Sequence, residues 1–175
     1  QVKGSGDLVV LIMGTGSPGR VWDLHQTPAL VDAGYRVCTF DNRGIAPSGE
    51  SVDGITMDDL VADTAGLIEH LGGGPARVVG TSMGARVAQE LALSRPDLVL
   101  KAAFLAGHAR MDYFQQTLTE GGRALHDSGV ELPAKYRAAV TAVMNLSPAS
   151  LVDPHTARDW LDLFEFSGGR TSEGV

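Results

Sequence analysis

Short apolar runs alternate with segments of helical periodicity along the first 106 residues. The apolar runs are residues 7–13, 35–40, 76–79 and 98–106. The segments with helical spacing are residues 27–34, 56–71 and 85–94. A continuous apolar run is typical of a strand covered on both faces, and strands that alternate with helices indicate a parallel sheet. The pattern therefore predicts an α/β fold, a doubly wound and mostly parallel sheet with helices on both faces.

Polar residues mark the starts of two of these helices. Thr27-Pro28 predicts an N-cap followed by proline at the first helical position. Thr56 with Asp59 three residues later resembles a capping box. Residues 1–6 are interpreted as the end of an earlier strand.

The alternation stops after residue 106. Three helical stretches follow, at about residues 112–126, 133–146 and 154–166. An all-helical stretch after the fourth apolar strand suggests a lid over the sheet, so we expect a core at residues 1–107 and a helical lid at residues 108–175. Residues 167–175 are rich in glycine, serine and charge, which is typical of a mobile loop.

Composition excludes several classes of partner. The 175 residues suit one domain, and their net charge of −7 argues against nucleic acid and anionic membranes. No apolar run approaches the ~18 residues of a membrane helix, and one cysteine cannot form an internal disulfide. We therefore expect a soluble cytoplasmic protein with no membrane partner, in which Cys38 is a buried structural thiol. No metal site and no cofactor are proposed.

The main candidate for chemistry is Gly80-Thr81-Ser82-Met83-Gly84, where a β-branched strand runs into a helix. A serine between two glycines at such a turn occupies a strained backbone position, with its hydroxyl clear of the sheet and a helix N-terminus behind it. Side chains at Gly80 and Gly84 would collide with the crossing strand or helix. This pattern predicts a nucleophile elbow.

A second motif leaves a rival hypothesis open. Gly14, Gly16 and Gly19 fit the Gly-x-Gly-x-x-Gly pattern after a strand, and Asp41 closes the next strand. This is the fingerprint of a dinucleotide-binding oxidoreductase. Pro18 and the helix start at Thr27-Pro28 imply a looser loop than that fold requires, and the rival leaves the elbow and the late helices unexplained.

With its elements in this order, the chain resembles the α/β-hydrolase superfamily over nearly its whole length. Leu11-Ile12-Met13-Gly14-Thr15-Gly16 is similar to the family's strand that ends in His-Gly-x, with Met13 in place of histidine. Phe40-Asp41-Asn42-Arg43-Gly44 is similar to its Asp-x-Arg-Gly loop, and residues 80–84 to its elbow. The wider pattern also resembles hydrolases of actinomycete natural-product clusters.

The resemblance implies a serine hydrolase that cleaves an ester or thioester of a mainly apolar small molecule. Ser82 would be the nucleophile, and the backbone N–H groups of Met83 and Thr15 would form the oxyanion hole. Asp41 and Arg43 are expected to brace their loop. An adaptable apolar pocket is expected from methionine and aromatic residues: Met13, Met83, Met111, Phe114, Met144 and Trp160.

The family's acid and histidine follow the serine in the order Ser…Asp/Glu…His, in loops after two further strands. We therefore expect them in a missing C-terminal segment of the same protein, which makes the α/β-hydrolase core incomplete in this chain. His108, at the carboxyl end of the strand next to the elbow strand, is a lesser candidate for the base and is otherwise expected at the pocket mouth.

Other chemistry on the same scaffold stays open. Cyclases, acyltransferases and ligand binders of natural-product biosynthesis share the fold without hydrolysing their ligand. Epoxide hydrolase and haloalkane dehalogenase chemistry is disfavoured, because those family members carry a carboxylate where this chain has Ser82.

Overall fold

The computed structural model describes residues 1–49, 54–72 and 74–167. Residues 168–175, which are nearly all of the predicted mobile tail, lie outside these ranges. Residue 73 and residues 50–53, which precede the helix predicted at residues 56–71, also lie outside them. The chain divides into two compact units, Gln1–Arg110 and Met111–Glu173. Each unit is described by itself.

The first unit is built on a five-stranded sheet with the order β1-β3-β2-β4-β5. Strand β1 is antiparallel to β3, and every other neighbouring pair is parallel. The parallel pairs confirm the predicted sheet, and the short β1 agrees with the strand end expected in residues 1–6. The strands are β1 (Val2–Lys3), β2 (Leu8–Ile12), β3 (Arg36–Thr39), β4 (Ala76–Thr81) and β5 (Val99–Leu105).

Side chains of β2 alternate between two hydrophobic clusters, as the two-residue period of a strand requires. Leu8, Val10 and Ile12 join one cluster, whereas Val9 and Leu11 join the other. A strand covered on both faces must be apolar throughout, which is why residues 8–13 form one unbroken apolar run. The remaining elements of the first unit are two 3-10 helices (Gly19–Leu24 and Pro96–Leu98), α1 (Gln26–Asp32), α2 (Met57–His70) and α3 (Met83–Ser94).

The two predicted helix starts have different outcomes. Thr56 caps α2 as expected: its hydroxyl accepts from the Asp59 N–H, and the Asp59 carboxylate accepts from the Thr56 N–H. The N-cap at Thr27 is wrong, because α1 begins at Gln26 after His25. The His25 carbonyl already accepts the first helical bond from Ala29, so Thr27 lies inside the helix and is buried.

The second unit is helical in its described part. The predicted stretches form α4 (Tyr113–Asp127), α5 (Ala134–Asn145) and α7 (Pro154–Ser167), and a short helix that was not predicted, α6 (Pro148–Val152), precedes α7. Helices α5 and α7 pack together, and Ala138 and Ala142 are buried on α5. A lid function for this unit stays a prediction.

Two further expectations can be compared with the structure. Cys38 is buried on β3, as predicted, and desolvation raises the pKa of its thiol. Among the described helices, none combines the length and the apolar character that a membrane span requires.

Candidate active site

Ser82 lies at the turn between β4 and α3. Its backbone has φ 53° and ψ −118°, a positive φ that few residues with a side chain adopt. Its N–H donates to the Leu105 carbonyl of β5 at 2.9 Å. The side chain is exposed and does not cap α3. The hydroxyl is therefore presented to solvent directly in front of the first turn of a helix.

Gly80 and Gly84 make this turn possible. A Cβ on Gly80 would overlap the carbonyl group of Gly84, and a Cβ on Gly84 would overlap the Ile12 carbonyl oxygen. The elbow thus requires glycine because α3 crosses β4 and β2 at backbone contact. This is the steric reason predicted for both glycines from the sequence.

The loop after β2 passes beside the nucleophile. A Cβ built on Gly14 would lie 3.1 Å from the Ser82 Cβ and 3.6 Å from its Oγ. Thr15, the next residue, is exposed. Met83 begins α3, so its N–H is one of the first-turn groups that have no partner within the helix. These positions are compatible with an oxyanion hole formed by Thr15 and Met83, which stays a prediction.

Three consecutive side chains tie the loop after β3 to three different segments. The Asp41 carboxylate accepts from the Gly19 N–H at 2.7 Å. The Asn42 amide donates to the Met13 carbonyl at 3.1 Å. Arg43 makes two bonds of 2.6 Å to the Asp63 carboxylate and lies 3.2 Å from Asp59.

The ion pairs of Arg43 with Asp59 and Asp63 affect the charge of the arginine and the position of its loop. The hydrogen bond to Asp63 raises the pKa of Arg43, so its guanidinium stays charged at neutral pH. Both carboxylates belong to α2, so the arginine fastens the loop to this helix. The structure therefore supports the bracing role expected for Asp41 and Arg43.

A cavity of about 290 Å³ opens between the two loops. Its exposed wall is mainly apolar, because side chains of Ile45, Ile55, Leu60 and Met83 contribute to it, and its polar part comes from the loop after β2 and from Asn42 and Arg43. The predicted oxyanion residues Thr15 and Met83 both line it. The cavity is formed by the first unit alone.

The other predicted pocket residues lie elsewhere or cannot be related to this cavity. Met13 is 9% exposed and packs in the core beside Val9, Leu11 and Trp22. His108 is exposed after β5. Met111, Phe114 and Trp160 belong to the second unit, where the Trp160 and Phe164 rings are 5.5 Å apart. Ligand contact by these residues stays a prediction.

Sequence reasoning missed Asn42, Ile45, Ile55 and Leu60. Ile45 and Ile55 lie in the largely polar segment of residues 42–55, where single apolar residues could have indicated a cavity wall. Leu60 falls within residues 56–71, whose helical spacing does not distinguish a core position from the rim of a cavity. Asn42 gave no signal, because its partner is a backbone carbonyl 29 positions away.

The described residues indicate neither a metal centre nor a dinucleotide site. In residues 1–49, 54–72 and 74–167, no group of three or more histidine, cysteine, aspartate or glutamate side chains could hold a metal ion. No α-helix begins within the glycines of residues 14–19, since α1 begins at Gln26. The dinucleotide fold needs a helix N-terminus at that position to receive the pyrophosphate.

Comparison with known proteins gives a family match and several relatives. The family described as the alpha/beta hydrolase fold matches residues 7–128. BpoC of Mycobacterium tuberculosis, provisionally named a non-heme bromoperoxidase, is 45% identical over 173 residues, which are 99% of this chain and 66% of that protein. The chain therefore spans just under two thirds of the length of this relative.

Solved structures and a second relative extend the comparison. The crystal structure of BpoC superposes with a TM-score of 0.89 at 46% identity, covering 95% of this chain and 62% of that one. Epoxide hydrolase B of the same organism is 39% identical over 94 residues, 53% of this chain and 26% of that protein. An esterase of Thermogutta terrifontis, at 24% identity, has the same fold with a TM-score of 0.73 over 95% of this chain and 60% of the esterase.

Proposed function

This chain belongs to the α/β-hydrolase family, and on that premise we propose that it carries the nucleophile and oxyanion hole of a serine hydrolase. The observation that carries the proposal is Ser82, an exposed serine at φ 53° between two glycines that cannot hold a side chain. Such strain persists where the surrounding structure enforces it, and it is typical of functional sites. The substrate is an ester or thioester of a mainly apolar small molecule, which suits the apolar wall of the cavity beside Gly14.

The reaction proceeds through an acyl-enzyme. The Ser82 hydroxyl loses its proton to a base as its oxygen attacks the carbonyl carbon, and the carbonyl oxygen becomes an oxyanion. The N–H groups of Met83 and Thr15 stabilise that charge, which is worth about 3 kcal/mol per donor in comparable sites. The leaving alcohol or thiol takes the proton, and water then releases the acid and restores the serine.

The base and the acid are proposed to come from a C-terminal segment of the same protein outside residues 1–175. In the described part of the first unit, no side chain forms a hydrogen bond with the Ser82 hydroxyl. Residues 1–175 prepared alone should therefore not hydrolyse p-nitrophenyl esters in a Ser82-dependent way. His108 is the alternative base, and full activity of His108→Ala in the full-length protein would exclude it.

The proposal is tested by labelling the full-length protein with a fluorophosphonate and measuring its intact mass. We expect one adduct, mapped to Ser82, and no adduct in Ser82→Ala. Ser94→Ala is the matched control, because Ser94 is an exposed serine at the other end of the same helix, bonded to the Glu90 carbonyl. Absence of a Ser82 adduct, together with ester hydrolysis unchanged in Ser82→Ala, would contradict the proposal. A wild-type protein that neither takes the label nor hydrolyses esters would favour a cyclase, acyltransferase or ligand binder on this fold.

A second candidate function, oxidation of bromide, is favoured by the 45% identity to BpoC. Ser82 can act as the nucleophile in this reaction as well. If hydrogen peroxide instead of water takes the acyl group, the products are free serine and a peracid, and the peracid oxidises bromide to hypobromous acid as it returns to the carboxylate. Bromination of a phenol in peroxide, bromide and acetate should then disappear in Ser82→Ala. Bromination that survives this substitution would exclude the shared site.

A further inference from the structure

The Asn42 side chain is buried behind the loop that passes Ser82. It is 4% exposed, and its amide lies 3.1 Å from the Met13 carbonyl oxygen. A carbonyl oxygen can only accept a hydrogen bond, so the side-chain nitrogen and not the side-chain oxygen faces Met13. A buried amide held this way has lost most of its freedom to reorient, and the carbonyl it binds is equally restrained.

The Met13 carbonyl belongs to the first of the two peptide planes that lead to the Thr15 N–H. In a trans peptide the C=O and the N–H point in opposite directions from one rigid plane. Asn42 orients the plane between Met13 and Gly14. The next plane, which carries the Thr15 N–H, is oriented from its other side by the Ser17 N–H, which donates to the Gly14 carbonyl at 3.4 Å. The two hydrogen bonds therefore restrain the peptide planes on both sides of Gly14, and the second of these planes carries the Thr15 N–H.

Within residues 1–49, 54–72 and 74–167, Asn42 is the side chain that donates to the Met13 carbonyl. The carbonyl lies against the backbone at Gly84, since a Cβ there would come within 2.7 Å of the Met13 oxygen. Asn42 approaches it from a loop that is itself held by its two neighbours, Asp41 on Gly19 and Arg43 on Asp63. The Asn42 amide therefore extends from a loop that is fixed on both sides of it.

We propose that Asn42 is a positioning residue for the oxyanion hole, which it orients through the Met13 carbonyl. The inference rests on the proposed function, because it assigns a role to the Thr15 N–H in stabilising the oxyanion. Pre-oriented donors stabilise a developing charge without having to reorganise during the reaction. Asn42 acts on the transition state through the backbone and does not hold the substrate.

The test compares Asn42→Leu and Asn42→Asp in the full-length protein with p-nitrophenyl acetate as substrate. Leucine fills a similar volume without a donor, and aspartate keeps the shape but presents an acceptor to a carbonyl oxygen. Removing one oxyanion donor costs about 10²–10³ in kcat, and loosening one should cost about 10- to 100-fold. We expect this loss in kcat for both variants, with KM within about twofold of wild type because ground-state binding is unchanged.

Thr64→Val is the matched control. Thr64 is fully buried on α2, and its hydroxyl donates to the Leu60 carbonyl at 2.8 Å. Its loss removes one buried bond from a side chain to the backbone, as the Asn42 variants do, and a valine has the same shape. If Asn42 only supports the fold, the three variants should share a lowered Tm and an unchanged kcat. A kcat loss confined to the Asn42 variants supports the positioning role.

Two results would overturn the proposal: kcat equal to that of Thr64→Val, or a raised KM with kcat unchanged, which would make Asn42 a substrate contact. The failure of the proposed function has a different signature, an absence of Ser82 labelling in wild type. In that case, amide hydrogen exchange of residues 14–17 still tests whether Asn42 holds this backbone segment in position. Exchange about tenfold faster in Asn42→Leu than in Thr64→Val supports positioning, and equal rates contradict it.

Discussion

The residues around Ser82 are placed by backbone contacts more than by side chains. A Cβ on Gly80 or Gly84 would overlap another backbone segment, and a Cβ on Gly14 would lie only 3.1 Å from the Ser82 Cβ. Ser82 carries the strained φ, and the Leu105 carbonyl holds its N–H. Because the crossing elements are in backbone contact, the nucleophile has little room to shift with respect to β2 or α3.

We expect Gly84→Ala to be strongly destabilising, since its Cβ would overlap the Ile12 carbonyl oxygen and lie 2.7 Å from that of Met13. Overpacking of this kind typically costs about 1–3 kcal/mol. Gly66→Ala is the control: the position lies within α2 with nothing within 4 Å of the new Cβ. It should stabilise the protein by about 0.5–1 kcal/mol. Urea unfolding measures both, and equal stabilities would contradict the contact argument.

At this scale, sequence predicted residues with a local motif and missed those without one. The elbow was predictable because Gly-x-Ser-x-Gly encodes the steric need within five residues. Asn42 was not, because an asparagine in a polar loop is compatible with many partners and its partner here is a distant carbonyl. Thr27 was misjudged because a threonine before proline suits an N-cap, whereas its burial within α1 depends on packing beyond the local sequence.

Among the elements, α2 connects stability to the candidate site. Its first turn contains the capping box of Thr56 and Asp59, and Asp59 also faces Arg43 of the braced loop. The Thr56 hydroxyl, its backbone N–H and then Arg43 hold the pKa of Asp59 below 3.8. The folded state therefore binds fewer protons than the unfolded chain near that pH, so the ionised Asp59 stabilises the fold.

This linkage predicts a pH dependence for Asp59→Asn. At neutral pH the variant should have a lower Tm than wild type, because the charged cap is lost. The difference should persist down to pH 3.8 and disappear as the pH falls further, through the lowered pKa of the folded state. Asp58→Asn is the control, since Asp58 lies in the same first turn outside the box. Thermal unfolding followed by circular dichroism measures both, and identical pH profiles would contradict the assignment.

Elements with strong periodicity were predictable, and short or loosely packed ones were not. The parallel strands and α2 were expected close to their observed bounds. The 3-10 helix Gly19–Leu24 and the five-residue α6 lack the length over which a helical period can be recognised.

For the whole molecule, the sheet order places β4 between β2 and β5, so the elbow follows an interior strand. On the other side of β5, no strand is paired within the described residues. Residues 100–105 are all exposed, including Leu100, Phe104 and Leu105. In the part of the first unit that the structure describes, β5 therefore forms an apolar sheet edge, a type of surface that favours association.

We expect residues 1–175, prepared as a separate fragment, to self-associate and to bind 8-anilinonaphthalene-1-sulfonate. Leu100→Lys should reduce both, because a charge on an edge strand opposes pairing. Leu93→Lys is the control, since Leu93 is 78% exposed and belongs to α3 instead of the edge strand. Analytical ultracentrifugation gives the association state. A monomeric fragment, or equal effects of the two substitutions, would contradict this interpretation.

The burial of Cys38 has a practical consequence for spectroscopy. It is the single cysteine of residues 1–175, it is 1% exposed, and its pKa is raised by desolvation, so maleimides should react with it slowly. Cysteines introduced on the surface of each unit, for example at Arg20 and Tyr136, would then take up fluorophores selectively. Energy transfer between the dyes would then report changes in the spacing of the two units of residues 1–175 without removal of Cys38.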